Sequence, residues 1–198
     1  MKTRNRVTGY CFAIALAALC AGRVVWADNV SPFHGQILME YVGQVINGNP
    51  IPASSNQYGN LQEVAGVDPS LLFTFYTEAM TVKVVANGPL RIVDRTGTTT
   101  IYLASASGDF SNPDSFRSGT PVQVSTLRQQ VLVDTASGAF TVVNINTIST
   151  AAQFPSNGKE IQLGAVGQSF RTKLSGHLNA PGMSPTGWFA GYAVGNKD

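Results

Sequence analysis

Beyond Cys20 the chain has no cysteine, because its two thiols, Cys11 and Cys20, both fall within the first 27 residues. The remaining 171 residues can form neither a disulfide nor a zinc site built on thiolates. Charge is also sparse: Asp, Glu, Lys and Arg make up 12% of the chain, and there are two histidines, His34 and His177. No serine sits in a Gly-x-Ser-x-Gly elbow, the turn that would expose a nucleophile above a sheet. The acids Glu40, Glu63, Glu78 and Asp94 are scattered, and no spacing pairs two of them for general acid/base work. Asp109, Asn112 and Asp114 offer hard oxygens, but their order departs from that of a calcium loop, and turn formation accounts for them. No metal and no other cofactor is expected. Sustained helical periodicity is missing as well, and with it any parallel crossover.

What is present begins with an export signal. Lys2, Arg4 and Arg6 precede 16 uncharged residues, Val7 to Gly22, and Arg23 closes the run. Val25-Trp26-Ala27 then presents small residues where a signal peptidase reads, so residues 1–27 are expected to be a signal peptide and 28–198 a single β-rich domain. A lipoprotein is not expected, since Leu19 precedes Cys20. The uncharged run is short for a spanning helix, which needs about 20 apolar residues, so no stable membrane span is expected after cleavage. Four of the 13 basic residues leave with the signal, so nine face 11 acids, a formal charge of −2. Without a basic cluster, nucleic acid is not an expected partner. The expected location is secreted or periplasmic.

The body of the chain is rich in Val, Thr, Ser, Asn and Gly, which favour strands and turns. Strands are expected over Gly35 to Ile46, Leu72 to Val85, Gly167 to Asn179 and Gly187 to Val194. Leu90 to Asp94 and Thr98 to Ala104 read as a hairpin around Arg95-Thr96-Gly97. A longer hairpin joins Val122 to Val133 with Ala139 to Ile148. Its simplest register sets Val133 opposite Ala139, and Arg128 and Thr126 opposite Asn144 and Asn146. Pro50 to Gly66, Ser105 to Pro121 and Phe154 to Glu160 read as polar loops. Seven or eight strands in hairpin sequence predict an all-β fold: a single antiparallel barrel, calycin-like and closed or partly open, with a β-sandwich as second choice.

The strand faces supply the candidate site residues. Arg171, Lys173, Ser175 and His177 alternate with apolar Phe170, Thr172, Leu174 and Leu178. Facing solvent, they make an ordinary outer face. Facing a barrel interior, Arg171 and His177 would offer hydrogen bonds to a bound carbonyl or carboxylate. Arg128 and Asn144 could likewise form a polar wall, with Trp188 and Tyr192 supplying the apolar part of a pocket. The leading functional expectation is a barrel holding a small, mostly apolar molecule. One alternative is a small-barrel isomerase, cyclase or lyase using a single acid/base such as His177 or Glu40. Another is a structural or surface-adhesion domain without a small ligand.

Protein recovered from the export compartment is expected to begin at Asp28 and to melt at the same temperature with and without dithiothreitol. Amino-terminal sequencing and a pair of thermal melts check this, and a retained Met1 would refute it.

Overall fold

The structure, a computed structural model, describes residues 37–47 and 54–195. The expected signal peptide, His34 and residues 48–53 lie outside the described residues. The chain runs through β1 (Ile37–Asn47), β2 (Ser54–Val64), β3 (Leu72–Asn87), β4 (Leu90–Ala104), β5 (Thr120–Asp134) and β6 (Ala139–Ala151). A short pair, β7 (Phe154–Ser156) and β8 (Lys159–Ile161), precedes β9 (Ser169–Leu178) and β10 (Gly187–Gly195). The eight long strands form a closed antiparallel barrel in which each pairs with its neighbour in sequence, β7 and β8 forming a separate hairpin. β10 returns to β1 with Tyr41 opposite Gly191, which closes the sheet and removes its edges. The barrel, not the sandwich, is the architecture. No helix among the described residues is long and apolar enough to cross a membrane.

Two tight turns show why the chain reverses where it does. Gly88, the first residue of the two-residue β3–β4 loop, has φ 58°, as a II′ turn requires, and Pro89 suits the second position. Between β7 and β8, Asn157 and Gly158 have φ 51° and 74°, the paired positive values of a type I′ turn.

Closure sends alternate side chains inward. Near the end where β1 begins, the interior is filled by Met39, Phe73, Ile101, Ile148 and Phe170, all buried. Phe154, Ile161 and Leu163 from the β7–β8 excursion join them, the Phe154 ring edge-on to Phe73 at 5.5 Å. The Ser105 to Pro121 segment is not wholly loop. Its 3-10 turn, Pro113–Arg117, lays Phe116 on the outer side of the barrel against Tyr58 and Phe110, with ring centroids 5.1 and 5.0 Å apart. Thr74 fastens this flap by donating its hydroxyl to the Phe116 carbonyl at 2.8 Å.

Four further sequence expectations are corrected: Phe154 to Glu160, read as a loop, carries the β7–β8 hairpin, and three others follow. Ser54–Val64 is a strand, although its Ser, Asn and Gln favour loops, because Ser55 and Gln57 face a polar layer of the interior. Leu90–Ala104 is one strand without a turn at Arg95-Thr96-Gly97, and the hairpin is instead β3–β4. Gly97 serves close approach: a Cβ there would fall 2.0 Å from the Glu78 carbonyl oxygen on β3. The β5–β6 register differs by one residue, with Val133 opposite Phe140 and Gln129 opposite Asn144. That slip turns Asn144 and Asn146 inward beside Leu127 and Gln129, and leaves Arg128 outside with Ile145.

Gly97→Ala is expected to destabilise the barrel by about 1–3 kcal/mol, since the β3 backbone must retreat from the new methyl. Urea unfolding followed by tryptophan fluorescence checks this, and an unchanged midpoint would contradict the close approach.

Candidate functional site

At the barrel end where β1, β3, β5 and β9 finish, the inward side chains become smaller and the described residues leave the interior open. Val45, Val93, Val131, Val133 and Val142, with Phe140, wall a cavity of about 760 Å³. A β-bulge at Thr81–Lys83 leaves Val82 unpaired and exposed, which restores Val84 to the inward phase opposite Val93. The β9–β10 connection completes the wall through Leu178, Asn179, Pro181 and Met183. A volume in this range suits one small organic molecule.

The floor is polar and is organised by Arg95. Its guanidinium, buried at 6% exposure, donates from Nη1 to Gln129 Oε1 and from Nη2 to Asn47 Oδ1, both at 3.1 Å, and from Nε to Thr81 Oγ1 at 3.3 Å. Gln129 donates in turn to Asn144 Oδ1 at 3.0 Å and exchanges amide contacts with Gln57 at 3.4 Å. Below these, Asn146 donates to Thr172 Oγ1 at 3.0 Å, and the Thr77 and Thr99 hydroxyls meet at 2.8 Å. A void of about 10 Å³ among them has room for roughly one water. Tyr41 beside it is fully buried, and desolvation raises its phenol well above the usual tyrosine value, so it stays neutral.

Among the described residues every partner of Arg95 is neutral and no Asp or Glu lines the cavity. Residues 48–53, Gly-Asn-Pro-Ile-Pro-Ala, contain no acid either. Desolvation pushes the guanidinium down to about 10, still far above neutral pH. A charge held in this way costs roughly 3 kcal/mol at pH 7. The folded value lies below the unfolded one, so burial of the charge opposes folding throughout the neutral range, where the guanidinium stays protonated.

The residues singled out from sequence are distributed differently. Asn144 is buried in the polar layer below the cavity. Arg128, Arg171, His177, Trp188 and Tyr192 are exposed on the outer face, and so is Glu40. Phase explains this: Phe170, Thr172 and Leu174 took the interior positions of β9, which leaves Arg171 and His177 outside. His177 is occupied structurally. Its Nε2–H donates to the Ser137 carbonyl in the β5–β6 turn at 2.8 Å, and its ring stacks on Trp188 at 6.2 Å. Trp188 lies between Gln44 and His177 in the register, and Tyr192 between Glu40 and Lys173, with Ala190 and its partner Val42 between the two exposed rings along the strands.

Arg95 was missed because Arg-Thr-Gly reads as a turn. Its signal was parity: it is the lone charge in the series Val93, Arg95, Gly97, Thr99, Ile101.

Arg95→Met, which keeps the bulk and removes the charge, is expected to leave the melting temperature unchanged or raise it by up to about 5 °C. Calorimetry checks this, and a drop of more than about 5 °C would make the guanidinium a net structural tie. Comparisons of the chain with protein-family models, with curated proteins and with solved structures found no match.

Proposed function

We propose that this protein is an exported binding protein whose barrel holds a small, mostly apolar molecule in the cavity at its open end. The supporting observation is the cavity itself, about 760 Å³ walled chiefly by valines and Phe140 above a hydrogen-bonded floor. A core under selection for stability alone would fill such a space, because empty apolar volume forfeits dispersion contacts and destabilises a domain.

Binding fits the lining better than acid/base catalysis does. Its described residues include no His, Asp, Glu, Lys or Cys, so no group there exchanges protons near neutral pH. His177 and Glu40, the groups considered from sequence for a single-residue isomerase, cyclase or lyase, stand outside the barrel. An adhesive role would call for a contiguous apolar patch; on the outer face Trp188, Ala190 and Tyr192 run beside Val42, but Gln44, His177, Glu40 and Lys173 flank both rings, whereas the cavity is walled mainly by apolar side chains.

The neutral dye N-phenylnaphthylamine is expected to fluoresce on binding the protein and to be displaced by small apolar molecules. Val133→Trp, at the half-buried wall, is expected to weaken dye binding at least tenfold with little change in melting temperature. Absence of saturable dye binding by the wild-type protein would refute the reading.

A further inference from the structure

The chemistry of the cavity floor differs from that of its walls. An apolar compartment needs no cation, and a buried arginine is ordinarily matched by a carboxylate or coordinates one. Arg95 has neither among the described residues. Its three hydrogen bonds use three of the five guanidinium N–H groups, and the residue lines the cavity from the floor. A second arginine, Arg91, stands at the same wall, half-buried, with Nη1 donating to the carbonyls of Gly88 at 2.7 Å and Leu90 at 3.0 Å. Among the described residues, two fixed positive charges and no negative one therefore face a chamber that is otherwise largely apolar.

We infer that the ligand is an amphipathic monoanion, an apolar body bearing one carboxylate, bound with the carboxylate on the floor against Arg95 and the apolar body along the valine wall toward the mouth. This inference rests on the cavity being a binding site and adds the ligand's charge and orientation to it.

Complementarity supports the orientation. A carboxylate presents two acceptor oxygens in the plane of a guanidinium fork, and the paired geometry is stronger in a desolvated site than in water. Gln129, Asn47 and Thr81 hold the guanidinium through Nη1, Nη2 and Nε, so it is already oriented before a ligand arrives, and two of its five N–H groups are left over. The same anion neutralises the charge that burial leaves uncompensated. A neutral ligand of the same shape would do neither. The rim guanidinium of Arg91 is already committed to two backbone carbonyls, so the floor is the anion's seat and the rim contributes attraction on the way in.

Dodecanoate and dodecanol differ only in this head group, and isothermal titration of both against the full protein reads the inference directly. The expected result at pH 7.5 is that dodecanoate binds at least tenfold more tightly than dodecanol. That preference is expected to shrink as pH falls toward the carboxylate range of about 4–5, where the acid becomes neutral. Arg95→Gln and Arg95→Met are expected to bring the acid-to-alcohol ratio near one, while Arg95→Lys retains part of it. Melting curves confirm that each variant is folded. If none is, the wild-type ratio and its pH dependence still decide. Equal binding of acid and alcohol by the wild-type protein would overturn this inference and leave the cavity reading intact. Binding of neither, together with no displacement of N-phenylnaphthylamine, would overturn both.

Discussion

Closure of the sheet through β1 and β10 is the constraint on which everything else depends. It removes both edges at once, and it also sends every second residue of eight strands into one shared interior. At this strand number the interior is just wide enough to be filled by side chains or to hold one small ligand. The barrel does each at a different end. Phenylalanines and isoleucines, with the β7–β8 excursion over them, fill the end where β1 starts. Valines occupy the equivalent inward positions at the other end, and their smaller volume leaves the cavity.

Between the two lies the polar layer, which gives the barrel an interior unlike a simple hydrophobic core. Gln57, Gln129, Asn144, Asn146, Thr77, Thr99 and Thr172 are all buried, and hydrogen bonds between strands connect them in pairs. Such a network is stable only while its members satisfy one another, because each orphaned group would bear its full desolvation cost. It therefore ties β2, β5, β6 and β9 together across the interior, in addition to the backbone ladder. It also supplies Gln129, one of the three neutral acceptors that hold Arg95 beneath the cavity, Asn47 and Thr81 being the others.

The outer face obeys a different logic. Arg128, Arg171, Lys173 and His177 stand in water, where their charge and polarity cost nothing, while the flap over β2 and β3 buries Phe116 on Tyr58. His177 illustrates how a residue type associated with catalysis can serve architecture. It ties the β5–β6 turn to the end of β9. Gly97 illustrates the converse, a residue type associated with turns used where two strands approach too closely for a side chain.

The all-β class, the approximate positions of most strands, the two-faced character of β9 and the lack of cysteine after residue 20 were legible in the sequence, because alternation and turn chemistry are local properties. What local patterns could not decide was which polar side chains enter the interior. β2 was unreadable as a strand because its inward Gln57 meets its partner Gln129, from β5, only once the barrel closes. In the β5–β6 hairpin a one-residue difference in pairing exchanged the two faces, and so exchanged Arg128 for Gln129 as the residue beside Asn144. Arg95 needed both facts: a continuous β4 through Gly97, and a closed sheet that turned its side chain into the interior. Sequence determined the alternation along each strand. Tertiary structure alone decided which phase of it is inside, because that choice depends on pairing between strands far apart in the chain.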